Sequence, residues 1–187
     1  MGQVSSFCLF RCEEEPLAVR VDDVAEVLEV DAFVRISLCP PLVVGLCPYH
    51  REVAPVVTLA NNPDHSRRED GREGASSSPK TVLILQTSQG VWGIWVRGGV
   101  TVVSGPRPVG HEPLRRGGGA VIVGSLMAGG TSHSVIDPEA TWRELRGSVE
   151  AWYGTILESG NTFRVAGSHQ SAAAQRPTPA PLASGSR

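Results

Sequence analysis

No stretch of this chain approaches the roughly 18 consecutive apolar residues of a membrane-spanning helix, and its first residues have neither the basic region nor the apolar core of a secretory signal. The chain is therefore expected in the cytoplasm with no direct membrane insertion, although Met1 to Ser6 also fits the loose pattern for N-myristoylation. An excess of positive charge is lacking too. Seventeen Lys and Arg stand against 19 Asp and Glu, for a net charge of -2, so no basic field recruits a phosphate backbone and nucleic acid is excluded as the expected partner. Cysteine is scarce and poorly placed for a metal. Cys8, Cys12, Cys39 and Cys47 do not form two close pairs, which argues against a zinc site or a disulfide framework and for small buried hydrophobes. The five histidines have no metal-site spacing, and Gly117-Gly118-Gly119 lacks the Gly-Lys-Ser/Thr ending of a phosphate loop, which leaves a solvated turn as its expected role. No serine or cysteine sits in a nucleophile elbow, and Glu13-Glu14-Glu15 reads as a solvated hairpin tip. Neither a catalytic residue, a cofactor nor a metal is expected, and the sequence favours a binding module over an enzyme.

What the sequence does contain is apolar residues, at 41%, punctuated by 21 glycines and 14 prolines. Many short strands joined by turns are the natural result. Ser5 to Arg11 and Leu17 to Val19 read as a hairpin, and Val24, Val27 and Leu28 behind two aspartates predict a short helix over Asp22 to Leu28. A strand pair follows from Val43 to Tyr49 and from Glu52 to Leu59. Residues 61–79 have almost nothing to bury and are expected to be a disordered insertion. Order is expected to resume at Thr81, where Val82-Leu83-Ile84-Leu85 suits a strand covered on both faces. Further strands are predicted over Val91 to Val96, Val100 to Val103, Ala120 to Ala128 and Ser132 to Ile136, with a loop from Ser104 to Gly119. Their hairpin spacing predicts a closed or nearly closed antiparallel barrel. Asp137-Pro138-Glu139 opens a helix whose Trp142, Leu145, Val149, Trp152 and Ile156 recur at three- and four-residue steps, so one face should pack on the barrel. The Ala-, Ser- and Pro-rich tail after Phe163 is expected to be unstructured.

Three stretches carry a resemblance to a known family. Gly45 to Leu59 resembles the Gly-Leu/Val-x-Asn-x-Arg-Gly-x-Val-x-Pro-Val-x-Asp-Leu hairpin of the CheW family, the adaptors of bacterial chemotaxis arrays. Val91 to Gly98 is similar to that family's Gly-Leu-x-Val-Asp strand, and Ile122 to Gly124 with Val135 to Asp137 resembles its closing strands. The resemblance implies a mainly β fold of two packed small antiparallel β-barrels with short helices and a C-terminal helix. It implies one adaptor domain over 1–163 and a tail over 164–187. It also implies the partners: the regulatory domain of a CheA-type histidine kinase and the cytoplasmic tip of a chemoreceptor, which would bring the protein to membrane receptor arrays. The partner-binding residues carried over are Gly45, Leu46, His50, Arg51, Val53, Ile94 and Val96. The family's polar signature is replaced, with Pro48, His50, Arg51 and Thr58 at its Asn, Arg, Gly and Asp, and Arg97 at the Asp of the second motif. Where the family has a permanent cation this turn has a histidine, and Arg51 supplies one only if the backbone accepts a side chain in place of glycine. A module that keeps only the fold, and binds another partner or a small ligand, is the alternative reading.

Overall fold

The computed structural model describes residues 5–60, 79–105 and 107–162, so most of the predicted insertion and the whole tail lie outside the described residues. Strands β1 (Ser6–Cys12) and β2 (Glu15–Arg20) form the first hairpin, pairing from Phe7↔Arg20 to Cys12↔Glu15. The chain then makes a short 3-10 turn, Val21–Asp23, and enters β3 (Val24–Val30), where the sequence predicts a helix. Three of these seven residues are valines, which suit a pleated surface better than a helix. Pairing with β6 (Lys80–Thr87) overrides the apparent helical spacing. A register shift between Val24 and Glu26 also breaks the strict alternation that would have announced a strand.

β4 (Val43–Tyr49), β5 (Glu52–Val57) and β7 (Gly90–Val96) complete a five-stranded sheet of order β3-β6-β7-β5-β4. β8 (Thr101–Ser104), β9 (Val109–Arg115), β10 (Val121–Ala128) and β11 (Thr131–Ile136) join the first hairpin in a six-stranded sheet of order β8-β1-β2-β11-β10-β9. The fold is mainly β, as the sequence implies, but neither sheet closes and each contains one short parallel pair, β2 with β11 and β5 with β7. Those pairs join strands that are distant in sequence, which hairpin spacing cannot reveal. Strand β9 is a further departure, lying inside what reads as a loop. All its residues are exposed, it contains Pro113, and among the described residues it is an edge strand paired with β10 alone.

Each sheet nevertheless carries apolar side chains on both faces. Cys8, Phe10, Leu17 and Val19 from one sheet and Leu83, Leu85, Trp92 and Ile94 from the other meet in a central core. The alternate residues form a second core within each sheet, Phe7, Leu9, Ala18, Leu126 and Val135 in one and Cys47, Val56, Val82, Ile84 and Trp95 in the other. This is why Val82 to Leu85 is apolar without alternation: successive residues point into different cores. All four cysteines are buried and none is in a disulfide, and the Cys12 sulfur accepts the Leu59 N–H at 3.3 Å.

Helix α1 (Pro138–Thr162) starts where expected, with the Asp137 carboxylate accepting the Ala140 N–H at 2.9 Å. Trp142 stacks on Trp92, the ring centroids 5.5 Å apart, and Leu145 and Val149 join the central core. Trp152 departs from the expected stripe and is 38% exposed. The β6–β7 turn grips the start of α1, as the Ser88 N–H and hydroxyl donate to the Glu139 carboxylate at 2.9 and 2.7 Å. These hydrogen bonds hold the Glu139 carboxyl below the usual carboxylate range. Gly117–Gly119 is a packed turn rather than a solvated one: a Cβ on Gly118 would stand 2.6 Å from the Leu59 backbone, and one on Gly119 would meet Leu145 at 2.9 Å. The chain falls into two compact units, residues 1–153 and 154–187, and every site described below belongs to the first.

Candidate functional site

The β4–β5 hairpin pairs Leu46↔Pro55, Cys47↔Ala54, Pro48↔Val53 and Tyr49↔Glu52. Period-two geometry decides what each rung does. Cys47 and Ala54 point into the core and are fully buried, while Pro48 and Val53 point outward, Val53 being 58% exposed. The hairpin thus presents an apolar rung to solvent just below its tip.

At the tip, His50 adopts φ +51° and Arg51 does not have a positive φ. The left-handed position of the turn is His50, and the backbone accepts the Arg51 side chain without that strain. The His50 ring lies edge-on to Tyr49 with centroids 4.4 Å apart, and its Nε2 is 3.4 Å from the Glu26 carboxylate on β3. Arg51 and Glu52 are exposed. Tyr49, His50, Arg51 and Glu52 line a shallow cleft of about 350 Å³ with Gln86 and Val91 of the adjoining strands. Glu26 was hidden from sequence reasoning because its segment reads as a helix, and the bulge between Val24 and Glu26 removes the alternation that would have placed it on a strand.

Three of the predicted contact residues sit elsewhere. Ile94 and Val96 are 0% and 2% exposed in the central core, because β7 is a middle strand and both side chains face the other sheet. Gly45 is buried beneath residues 33–34, and a Cβ there would lie 2.7 Å from the Val34 carbonyl oxygen. Its role is to admit this crossing segment, which exchanges two 2.8 Å backbone hydrogen bonds with Leu46. The surface set is thus Leu46, half-buried, with exposed His50, Arg51 and Val53.

The replaced signature positions also have local explanations. Thr58 is 2% exposed and its hydroxyl accepts the Ala60 N–H at 3.3 Å, a setting where a carboxylate would be costly to desolvate. The Arg97 guanidinium lies over the Trp95 ring, 4.4 Å from its centroid. Burial pushes the Cys8, Cys12 and Cys47 thiols up, away from the thiolate form that nucleophilic chemistry requires. Among the described residues no three His, Cys, Asp or Glu side chains are grouped to hold a metal ion.

Residues 6–143 match the family model of the CheW-like domain. The chain belongs to the CheW-like domain family. The CheW-like fold is seen again in the crystal structure of the scaffolding protein TtCheW from Thermoanaerobacter tengcongensis. That protein shares 18% sequence identity and a TM-score of 0.57 over 74% of this chain and 92% of its own. No curated protein matches the sequence. No helix among the described residues is long and apolar enough to cross a membrane.

Proposed function

We propose that this CheW-like chain is a non-enzymatic adaptor that couples a chemoreceptor's cytoplasmic tip to the regulatory domain of a CheA-type histidine kinase. It works in the cytoplasm and reaches the membrane only through the receptors it joins. The observation that carries this reading is the β4–β5 tip, where an outward apolar rung, Pro48 and Val53, stands beside the exposed polar turn His50-Arg51-Glu52. Apolar contacts of this kind supply affinity, and charged neighbours fix orientation and speed encounter. Leu46, His50, Arg51 and Val53 are the contact residues of the proposal. Tagged chain expressed in its own host should recover a CheA-type kinase and a chemoreceptor together. Recovery of neither, with the fold intact by circular dichroism, would overturn the reading and favour a module that keeps the fold and serves another partner.

A further inference from the structure

A second concave site lies away from the hairpin tip. The segment around Ile36 and Leu42, Pro55 of β5, and Trp142, Val149 and Tyr153 of α1 line a half-open cavity of about 220 Å³. Its walls are almost wholly apolar, so ordered water finds few partners inside. The charges at its mouth are already matched, since Arg146 lies 3.5 Å from the Glu150 carboxylate and donates to the Gln89 side-chain oxygen at 2.6 Å. The Cys39 thiol, also in the wall, is within 3.5 Å of the Val43 carbonyl oxygen. Among the described residues the one buried side-chain nitrogen or oxygen without a partner is Trp92 Nε1, and Trp92 does not line this cavity. A charged ligand would therefore give up much of its hydration against walls whose few polar groups already have partners.

We propose that this cavity is a binding site for a small uncharged ring compound. Apolar cavities of about 150 Å³ hold benzene, so the larger space here admits a substituted ring or a fused pair of rings, faced by the aromatic side chains of Trp142 and Tyr153. The site borders the β4–β5 hairpin, where Pro55 pairs with Leu46, but His50, Arg51 and Val53 do not line it, and it does not depend on the adaptor reading.

The probes are indole and p-cresol, with benzoate and benzylammonium as charged counterparts of similar size, titrated into the full chain while NMR follows the Trp142 indole N–H. Indole and p-cresol should shift that signal with dissociation constants of about 1 mM or tighter, and the charged compounds should bind at least about tenfold more weakly. Val149→Phe and Leu42→Phe, which fill the cavity from opposite walls, should each lower indole affinity by about tenfold or more. Arg51→Glu should leave it unchanged. Should one filled variant fail to fold, the other gives the reading. No shift with either neutral compound up to its solubility limit, equal binding of benzoate, or unchanged indole affinity in a folded filled variant would overturn the proposal.

Discussion

Gly45 anchors the hairpin beneath the proposed partner surface, and adding one methyl group there tests how that surface is built. An alanine Cβ would lie 2.7 Å from the Val34 carbonyl oxygen and 2.9 Å from the Phe33 Cβ. Both are fixed by the two hydrogen bonds between Val34 and Leu46, so neither can swing aside like the end of a flexible side chain. Overpacking of this kind costs about 1–3 kcal/mol. Gly45 does not have a positive φ, so the cost is purely steric. Gly129 is the complement: its φ is +56° with nothing within 4 Å, and Gly129→Ala should cost only the left-handed backbone penalty of about 1–2 kcal/mol. Gly118 combines both, with φ +74° and the Leu59 backbone at 2.6 Å, so Gly118→Ala should cost about 2–5 kcal/mol. The gain from a stiffer unfolded chain is common to all three and cancels in the comparison. Urea unfolding of the three variants gives the differences directly, with a constant m-value as the check that they belong to the folded state. The reasoning is refuted if Gly118→Ala is no more destabilising than Gly129→Ala, or if Gly45→Ala leaves the midpoint unchanged.

Two further substitutions address the helix start and the short turn before β3. Asp137→Ala removes the carboxylate that accepts the Ala140 N–H, and should lower stability by about 1 kcal/mol in the same urea assay. Asp23 behaves in the opposite way: burial, reinforced by the neighbouring Asp137 and Asp22 and opposed by Arg20, raises its carboxyl above the ordinary value of 3.8. The folded state therefore binds the proton more tightly than the unfolded chain, a contribution fully present below the unfolded pKa and lost as pH rises through the raised folded value. Asp23→Asn should then be more stable than the wild type at neutral pH and converge with it in acid below about pH 4. A constant difference across that range would show that the charge is not the cause.

How much was legible in the sequence depended on whether the determining interactions were local. The apolar run Val82 to Leu85 and the Asp137-Pro138 helix start carry their own signals, and both elements lie where those signals put them. Strand β3 was misread because its bulge at Val24 and Glu26 mimics helical spacing, and β9 because an edge strand exposed on both faces needs no alternation. The parallel pairs β2–β11 and β5–β7 depend on chain crossings that no window of sequence contains. At the candidate site the hairpin and its turn were readable. Which residues reach solvent was not, because the burial of Ile94 and Val96 follows from the central place of β7 and from the sheet packed against it. Glu26 meets His50 only through the three-dimensional approach of β3 to the hairpin tip.

The central claim is that this chain joins two partners through its β4–β5 tip, and the most direct measurement is assembly from purified components. The kinase regulatory domain and a soluble receptor tip from the same host should co-sediment in analytical ultracentrifugation only when the chain is present. Arg51→Glu should weaken assembly about tenfold, or about 1.4 kcal/mol, with its unfolding midpoint unchanged. A kinase and receptor that remain separate with the folded wild-type chain, or assembly that Arg51→Glu and Val53→Asp both leave intact, would contradict the account.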